Sequence, residues 1–103
     1  MQWFRFRDIE SAKNLLLEEL SCYATQINKL DLSKNLKLRK LYCQNTNISN
    51  LDLSKSIKLE YLHYYSTPMK ELDLNNCPKI SWLECDKELK VISDRKISTI
   101  FYY

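Results

Sequence analysis

The chain has 103 residues, of which 45% are apolar and 28% are charged, and its formal net charge is +3. This composition predicts one soluble domain rather than a disordered chain, and no run approaches the roughly 18 apolar residues of a membrane-spanning helix. The charge is too small to indicate nucleic-acid binding by itself, and the start of the chain lacks the apolar segment of an export signal, so we expect a cytoplasmic protein.

The first element predicted along the chain is a capping helix over residues 8–17. Asp8 is a candidate N-cap. The apolar residues that follow it at helical spacing are Ile9, Ala12, Leu15 and Leu16. We expect Trp3, Phe4 and Phe6 to help this helix cover the apolar end of the first repeat.

From residue 17 to residue 90 the sequence has a 21-residue repeat. The columns in register are Leu17, Leu38, Leu59 and Ile80; Leu20, Leu41, Leu62 and Leu83; Leu30, Leu51 and Leu72; and Leu32, Leu53 and Leu74. Each unit has two short segments of alternating apolar residues, which favours extended chain with every second side chain buried. Neither segment could bury its apolar side alone, so we expect coils stacked about 4.8 Å apart around a leucine interior.

The pattern Leu-x-x-Leu-x-Cys-x-x-Thr-x-Ile-x-x-Leu-Asp-Leu-Ser of residues 38–54 resembles bacterial leucine-rich repeats, especially the 21-residue cysteine-containing repeats of the internalin type. The resemblance covers residues 17–90. It implies a strand-rich α/β solenoid, a short right-handed coil whose parallel strands line a concave face that commonly binds protein partners, and it does not imply an enzyme. The family usually has Asn where this chain has Thr25, Thr46, Thr67 and Glu88. Hydroxyl hydrogen bonds must therefore replace the usual side-chain ladder, or the ladder is lost.

The outward positions of the Leu-x-x-Leu-x-Cys segment are rich in aromatic residues. These positions hold Glu19, Ser21 and Tyr23; Lys40, Tyr42 and Gln44; Tyr61, His63 and Tyr65; and Trp82, Glu84 and Asp86. Five of the twelve are Tyr or Trp, which are enriched at interface anchors. The predicted partner-binding residues are Tyr23, Lys40, Tyr42, Tyr61, His63, Tyr65, Trp82, Glu84 and Asp86. The alternative is that exposed rings simply suit strands and stabilise the sheet through cross-strand pairs.

Charged residues repeat as well. The acidic column is Asp31, Asp52 and Asp73, and the basic columns are Lys13, Lys34 and Lys55, and Lys37, Lys58 and Lys79. We expect these columns to offset each other on a solvated surface. The alternatives are a lysine ladder that binds nucleic acid or another polyanion, and a carboxylate ladder for calcium, which lacks the ligand spacing of known loops. The Leu-Asp-Leu segment also fits a leucine-rich strand, in which case the aspartates would line the concave side.

The cysteines and turn residues are interpreted structurally. One column holds Cys22, Cys43 and Cys85, with Tyr64 at the missing position, and predicts buried, reduced thiols. Cys77, in the turn "NNCPK", is expected to be the most exposed thiol. The chain has no glycine, so turns with positive φ must use Asn, Asp, Ser or Lys. The candidate asparagines are Asn35, Asn45, Asn47, Asn50, Asn75 and Asn76.

Catalysis finds little support in the sequence. His63 is the only histidine, and its repeat position places it next to Glu84. We interpret this arrangement as a surface pair rather than a catalytic dyad. No zinc spacing or glycine-rich phosphate loop is present, so we predict a non-catalytic protein without a cofactor.

The chain ends in two extended runs around the turn at residues 93–96, which predicts a closing hairpin. Its alternating residues are Ile97, Thr99, Phe101 and Tyr103. The hairpin either caps the stack or forms an edge that pairs with a second copy to make a homodimer. The whole chain, residues 1–103, is thus predicted to be one domain, with a cap over 1–16, repeats over 17–90 and a second cap over 91–103.

Overall fold

The protein is a stack of short coils, described by a computed structural model for residues 3–5 and 15–103. In chain order the strands are β1 (Trp3–Arg5), β2 (Glu19–Ser21), β3 (Lys40–Tyr42), β4 (Tyr61–Tyr64), β5 (Glu71–Asp73), β6 (Trp82–Cys85), β7 (Lys90–Ile92) and β8 (Thr99–Tyr102). The described residues contain no helix, and thus none that has the length and apolarity needed to cross a membrane.

One parallel sheet organises the fold. Its six strands follow the order β1-β2-β3-β4-β6-β8. Leu20 pairs with Leu41, Leu41 with Leu62, and Leu62 with Leu83, so each of these steps to the next strand advances the chain by one full repeat. The repeat length is therefore the length of one coil, and the prediction of stacked coils is confirmed.

The leucine columns form the core. Leu20, Leu41, Leu62 and Leu83 are fully buried, as are Leu17, Leu38 and Leu59. Backbone hydrogen bonds join successive coils. Cys22 N–H donates to the Tyr42 carbonyl at 2.8 Å, and Cys43 N–H donates to the His63 carbonyl at 3.0 Å. Each coil thus contributes its apolar side chains to one continuous interior and its peptide groups to its neighbours.

The Leu-Asp-Leu segments lie outside the six-stranded sheet. Asp31, Asp52 and Asp73 each accept a hydrogen bond of 2.9 Å from the backbone N–H two residues later. Of these segments, β5 pairs in parallel with β7 in a separate two-stranded sheet. The aspartates therefore fix the turns, and the six-stranded sheet forms at the Leu-x-x-Leu-x-Cys segment, which decides between the two alternatives left by the sequence.

The turns that follow the strands of the main sheet contain the residues with positive φ. Ala24, Asn45 and Ser66, which occupy the same position in successive repeats, have φ of 56°, 56° and 54°. Only one of the candidate asparagines, Asn45, is used in this way. Beside these residues, the hydroxyls of Thr25 and Thr46 donate to the carbonyls of the residues three positions earlier, at 2.7 and 2.9 Å. Hydroxyl bonds therefore do replace the asparagine ladder at these two positions.

The start of the chain differs from the prediction. The predicted helix over 8–17 falls largely on residues 8–14, which lie outside the described residues, and residues 15–17 are not helical. The structure therefore does not support the capping helix. Instead, β1 pairs in parallel with β2 and continues the main sheet by one strand, with Trp3 opposite Glu19.

The predicted closing hairpin is wrong. β7 pairs with β5, whereas β8 pairs in parallel with β6, so the two runs belong to different sheets. The chain between them crosses from one sheet to the other, and Ile97 is buried on the way. This last coil is shorter than the others, since Trp82 pairs with Thr99, whereas a full repeat would place Tyr103 opposite it. Alternation of apolar residues predicts extended chain equally well for a hairpin and for a parallel crossover.

Candidate functional site: the aromatic face of the six-stranded sheet

The outward side chains of the six-stranded sheet form three rows, which we call the aromatic face. The first row is Glu19, Lys40, Tyr61, Trp82 and Thr99; the second is Ser21, Tyr42, His63, Glu84 and Phe101; and the third is Tyr23, Gln44, Tyr65, Asp86 and Tyr103. The structure places all nine residues predicted to bind a partner on this face. Most of their side chains are half-buried, because neighbours in the rows cover their sides and leave their tips open.

Rings on neighbouring strands contact one another. The ring of Tyr42 meets that of His63 edge-on, with centroids 4.7 Å apart. Trp82 lies between Tyr61 and Phe101, with centroid distances of 6.4 and 5.1 Å. These cross-strand contacts hold the side chains in defined orientations.

Two aromatic residues of the face were not predicted from the sequence. Phe101 packs on Trp82, and Tyr103 stacks on Tyr65 with centroids 4.0 Å apart and planes at 18°. The alternation that ends in Phe101 and Tyr103 was a signal for them, but the short last coil breaks the register of the repeat. Their rows could not be assigned without knowing that β8 is parallel to β6.

Glu84 is the polar centre of the aromatic face, although only 9% of it is exposed. The hydroxyl of Tyr103 donates to Oε1 at 2.5 Å, and the indole Nε1–H of Trp82 donates to Oε2 at 2.9 Å. Nε2 of His63 lies 3.3 Å from the same Oε2. This carboxylate of β6 therefore contacts a ring on β4, one on its own strand and one directly after β8, and the predicted pairing of His63 with Glu84 is confirmed.

The surroundings shift the pKa values of this cluster. Burial raises the pKa of Glu84, but the hydrogen bonds from Tyr103 and Trp82 and the charge of His63 outweigh it, so the pKa lies below the ordinary 4.5. Burial lowers the pKa of His63 below 6.5, against the opposing effect of Glu84. The hydrogen bond to Glu84 raises the pKa of Tyr103 to about 12. Near neutral pH the cluster is thus an ionised carboxylate beside a neutral imidazole and two neutral donors.

The other end of the face carries an ion pair. Nζ of Lys40 lies 3.5 Å from Oε1 of Glu19 and 5.1 Å from the centroid of the Tyr61 ring. This cation–π contact and the ion pair orient the lysine above the first row. Charged side chains therefore occur at both ends of the face, as the Glu19–Lys40 pair over β2 and β3 and as Glu84 on β6.

Behind the face runs the cysteine column. The side chains of Cys22, Cys43, Tyr64 and Cys85 point into the core and are buried, and all four cysteines of the chain are free thiols. Burial raises the pKa of Cys43 well above its ordinary value and that of Cys85 to about 11. The hydroxyl of Tyr64 donates to the buried Ile48 carbonyl at 2.6 Å, so the one tyrosine in the column has a partner for its polar end.

Cys77 corrects another expectation, because only 2% of it is exposed. Its Sγ lies 3.9 Å from the Leu53 carbonyl, and burial raises its pKa to about 11. It occupies the same repeat position as Asn35 and Ser56, and both of those residues are buried too. The turn therefore closes around this column of small side chains.

The fold has a counterpart among solved structures. It is similar to a structure described as the functional domain of InlJ from Listeria monocytogenes, which includes a cysteine ladder. The TM-score is 0.73, and the sequence identity is 26% with 90% of this chain covered. The leucine-rich-repeat resemblance is thereby confirmed at the level of the fold.

The leucine-rich-repeat solenoid described here spans 24% of the InlJ chain to which it is similar. No protein-family model and no curated protein sequence matches it. This solenoid also has a column of inward-facing cysteines, which Tyr64 interrupts.

Local contacts account for the aspartate column of the solenoid. Hydrogen bonds to Ser33 and Ser54 lower the pKa values of Asp31 and Asp52. Among residues 15–103, no three His, Cys, Asp or Glu side chains come together as candidate metal ligands, so the described part of the chain gives the calcium alternative no site.

A further charged column, beside the aromatic face, was not singled out from the sequence. In it, Nε of Arg39 lies 2.8 Å from Oε2 of Glu60, and Nη1 lies 3.8 Å from Oε1 of Glu18. The hydrogen bond from Arg39 lowers the pKa of Glu60. Opposite charges in successive coils thus meet along this flank of the sheet, and the regular repeat spacing of the three residues was the signal for it.

Proposed function

We propose that the solenoid is a non-catalytic protein-interaction module that binds its partner through the aromatic face. The observation that carries the proposal is the set of rings in cross-strand contact over β3, β4, β6 and β8. Tyr and Trp in such surroundings give a large contact area and still offer a polar tip. Residues of these types dominate the binding free energy of many protein interfaces.

Preorganisation supports this use of the face. Trp82 is fixed by Phe101 on one side and by its hydrogen bond to Glu84, so little side-chain freedom remains to be lost when a partner binds. Lys40 is similarly restrained by Glu19 and the Tyr61 ring. A partner would therefore meet a surface already arranged for contact, in which rings surround a few fixed charged groups.

The test compares partner capture by the wild type and by the double variant Tyr61→Ala with Trp82→Ala. We expect the double variant to lose the protein species that the wild type retains from a native lysate, by at least about tenfold, because two central anchors contribute about 1–2 kcal/mol or more each. Tyr61→Ala alone should reduce retention by a smaller factor.

The matched control is Tyr102→Ala, which removes an exposed tyrosine at the end of the stack but leaves the three rows intact. It should capture the same species as the wild type. Thermal unfolding of each variant separates loss of binding from loss of fold. If the folded double variant retains every partner, the rings serve only to stabilise the sheet, and the proposal is wrong.

A further inference from the structure

A row of exposed apolar side chains lies on the turns that lead into the strands of the six-stranded sheet. Leu15, Leu36 and Ile57 occupy equivalent positions in successive coils, and 61%, 48% and 50% of these residues are exposed. They are separate from the aromatic face, since they precede the strands instead of lying on them. Polar residues are usual at exposed turn positions, so a column of three large aliphatic residues there calls for an explanation.

Lysines border this row on both sides. The exposed lysines of the same turns are Lys34, Lys37, Lys55, Lys58 and Lys79. Leu15 and Leu36 form the apolar wall of a shallow cleft whose other walls include Lys34, Lys37 and Lys55. We call these three apolar residues and five lysines the leucine–lysine edge.

Local acids neutralise only part of this charge. Asp31 and Asp52 are close enough to Lys34 and Lys55 for the lysines to lower the aspartate pKa values. Each aspartate also accepts a hydrogen bond from its own turn. Lys37 and Lys58 lie on the other side of the apolar row, where the described residues form no ion pair with them. The edge therefore combines aliphatic tips with a surplus of positive charge.

This combination distinguishes between classes of partner. A nucleic acid would use the lysines but offer nothing to the aliphatic tips, because its exposed backbone is charged. A membrane surface with anionic lipids uses both, since lysines contact the headgroup phosphates while aliphatic side chains enter the boundary between headgroups and acyl chains. The aliphatic residues also recur once per coil and are exposed, so that successive turns can contact the same surface.

We propose that the leucine–lysine edge docks the solenoid onto membrane surfaces that contain anionic lipids. The lysines supply the attraction to the negative surface, and Leu36 and Ile57 anchor the contact by shallow insertion. This inference is independent of partner binding at the aromatic face, because the edge residues lie on the turns and not on the strands.

The experiment measures binding to vesicles of phosphatidylcholine with and without phosphatidylglycerol. We expect the wild type to co-sediment with the anionic vesicles and not with the neutral ones, and its partition coefficient to fall as salt is raised. Lys37→Gln with Lys58→Gln should lower the partition coefficient about tenfold or more, since each lysine near the surface accounts for about a fivefold change. Leu36→Ser with Ile57→Ser should lower it about tenfold without changing the net charge.

The matched control is Lys29→Gln with Lys70→Gln, which removes the same charge from exposed positions outside the edge. It should change the partition coefficient by less than about twofold, because these lysines are not part of the turns that form the edge. An equal loss in the control would show that net charge alone drives binding, and unchanged binding of the Leu36→Ser, Ile57→Ser variant would show that no insertion occurs. Either result overturns the proposal. A protein that does not bind the vesicles but retains an oligonucleotide at physiological salt would overturn it as well.

Discussion

Replacing Tyr64 tests how the interior of the stack is packed. Its ring occupies a position that cysteine holds in three other coils, and its hydroxyl donates to the Ile48 carbonyl at 2.6 Å inside the core. Tyr64→Phe removes this hydrogen bond and keeps the ring. Tyr64→Cys also removes the ring and restores the residue type of the column.

The two substitutions should differ in cost. Loss of the hydroxyl leaves a buried carbonyl without this donor, so Tyr64→Phe should lower the free energy of unfolding by about 1–3 kcal/mol. Tyr64→Cys should lower it by about 3–5 kcal/mol, because a cavity replaces most of a fully buried ring. We thus expect the Tyr64 ring to fill a space in the core that a cysteine side chain is too small to fill.

Urea unfolding followed by circular dichroism and tryptophan fluorescence measures both values. Tyr42→Phe is the matched control, since its ring lies on the half-buried aromatic face, and it should change the free energy of unfolding by less than about 0.5 kcal/mol. If Tyr64→Cys were as stable as the wild type, neighbouring coils would be closing over the space, and the reasoning from a fixed coil geometry would fail.

Three further predictions concern backbone strain and the Glu84 cluster. Ala24 has φ of 56°, a left-handed conformation that costs free energy in alanine but not in glycine. Ala24→Gly should therefore raise the free energy of unfolding by up to about 1 kcal/mol in urea titrations. A decrease would show that the backbone at Ala24 is not strained. Glu84→Gln should move the pKa of Tyr103 from about 12 back towards 10 in an ultraviolet titration. An unchanged pKa would show that a group other than Glu84 raises it. Glu84 and His63 both have lowered pKa values in the folded state, so the stability they contribute is present above their ordinary values of 4.5 and 6.5 and is lost as the pH falls. Urea midpoints should therefore decrease below about pH 6.5. Glu84→Gln should remove the part of the decrease that lies below about pH 4.5 but strengthen the part due to His63, because it removes the carboxylate that raises the His63 pKa.

The sequence contains enough information to place most of the aromatic face. Within a strand, alternation assigns each residue to the core or to the surface, and the repeat period assigns it to a coil. Together these two periods locate Tyr61 beside Trp82 and His63 beside Glu84, as the structure shows. Both relations are local or regularly repeated, so no knowledge of long-range packing is needed.

The remaining parts of the site depend on relations that the repeat does not encode. Phe101 and Tyr103 join the face only because the last coil is shorter and its strand runs parallel to β6. Cys77 is buried because its turn closes around the side chain, a feature that the apparent polarity of "NNCPK" conceals. Comparison with Asn35 and Ser56 would have corrected the second error, because small residues at equal spacing indicate a shared interior position.

The same repeat also explains why two distinct surfaces can coexist on so small a chain. Each coil contributes one residue to every column, so a substitution within a column alters one surface and leaves the other columns in place. Tyr61 and Ile57 are close in sequence, yet Tyr61 lies on the strand and Ile57 on the turn before it. The stacked leucines hold both positions at fixed distances from their equivalents in neighbouring coils. Substitutions can therefore change the rings on the sheet and the aliphatic side chains on the turns independently, provided that the buried columns remain intact.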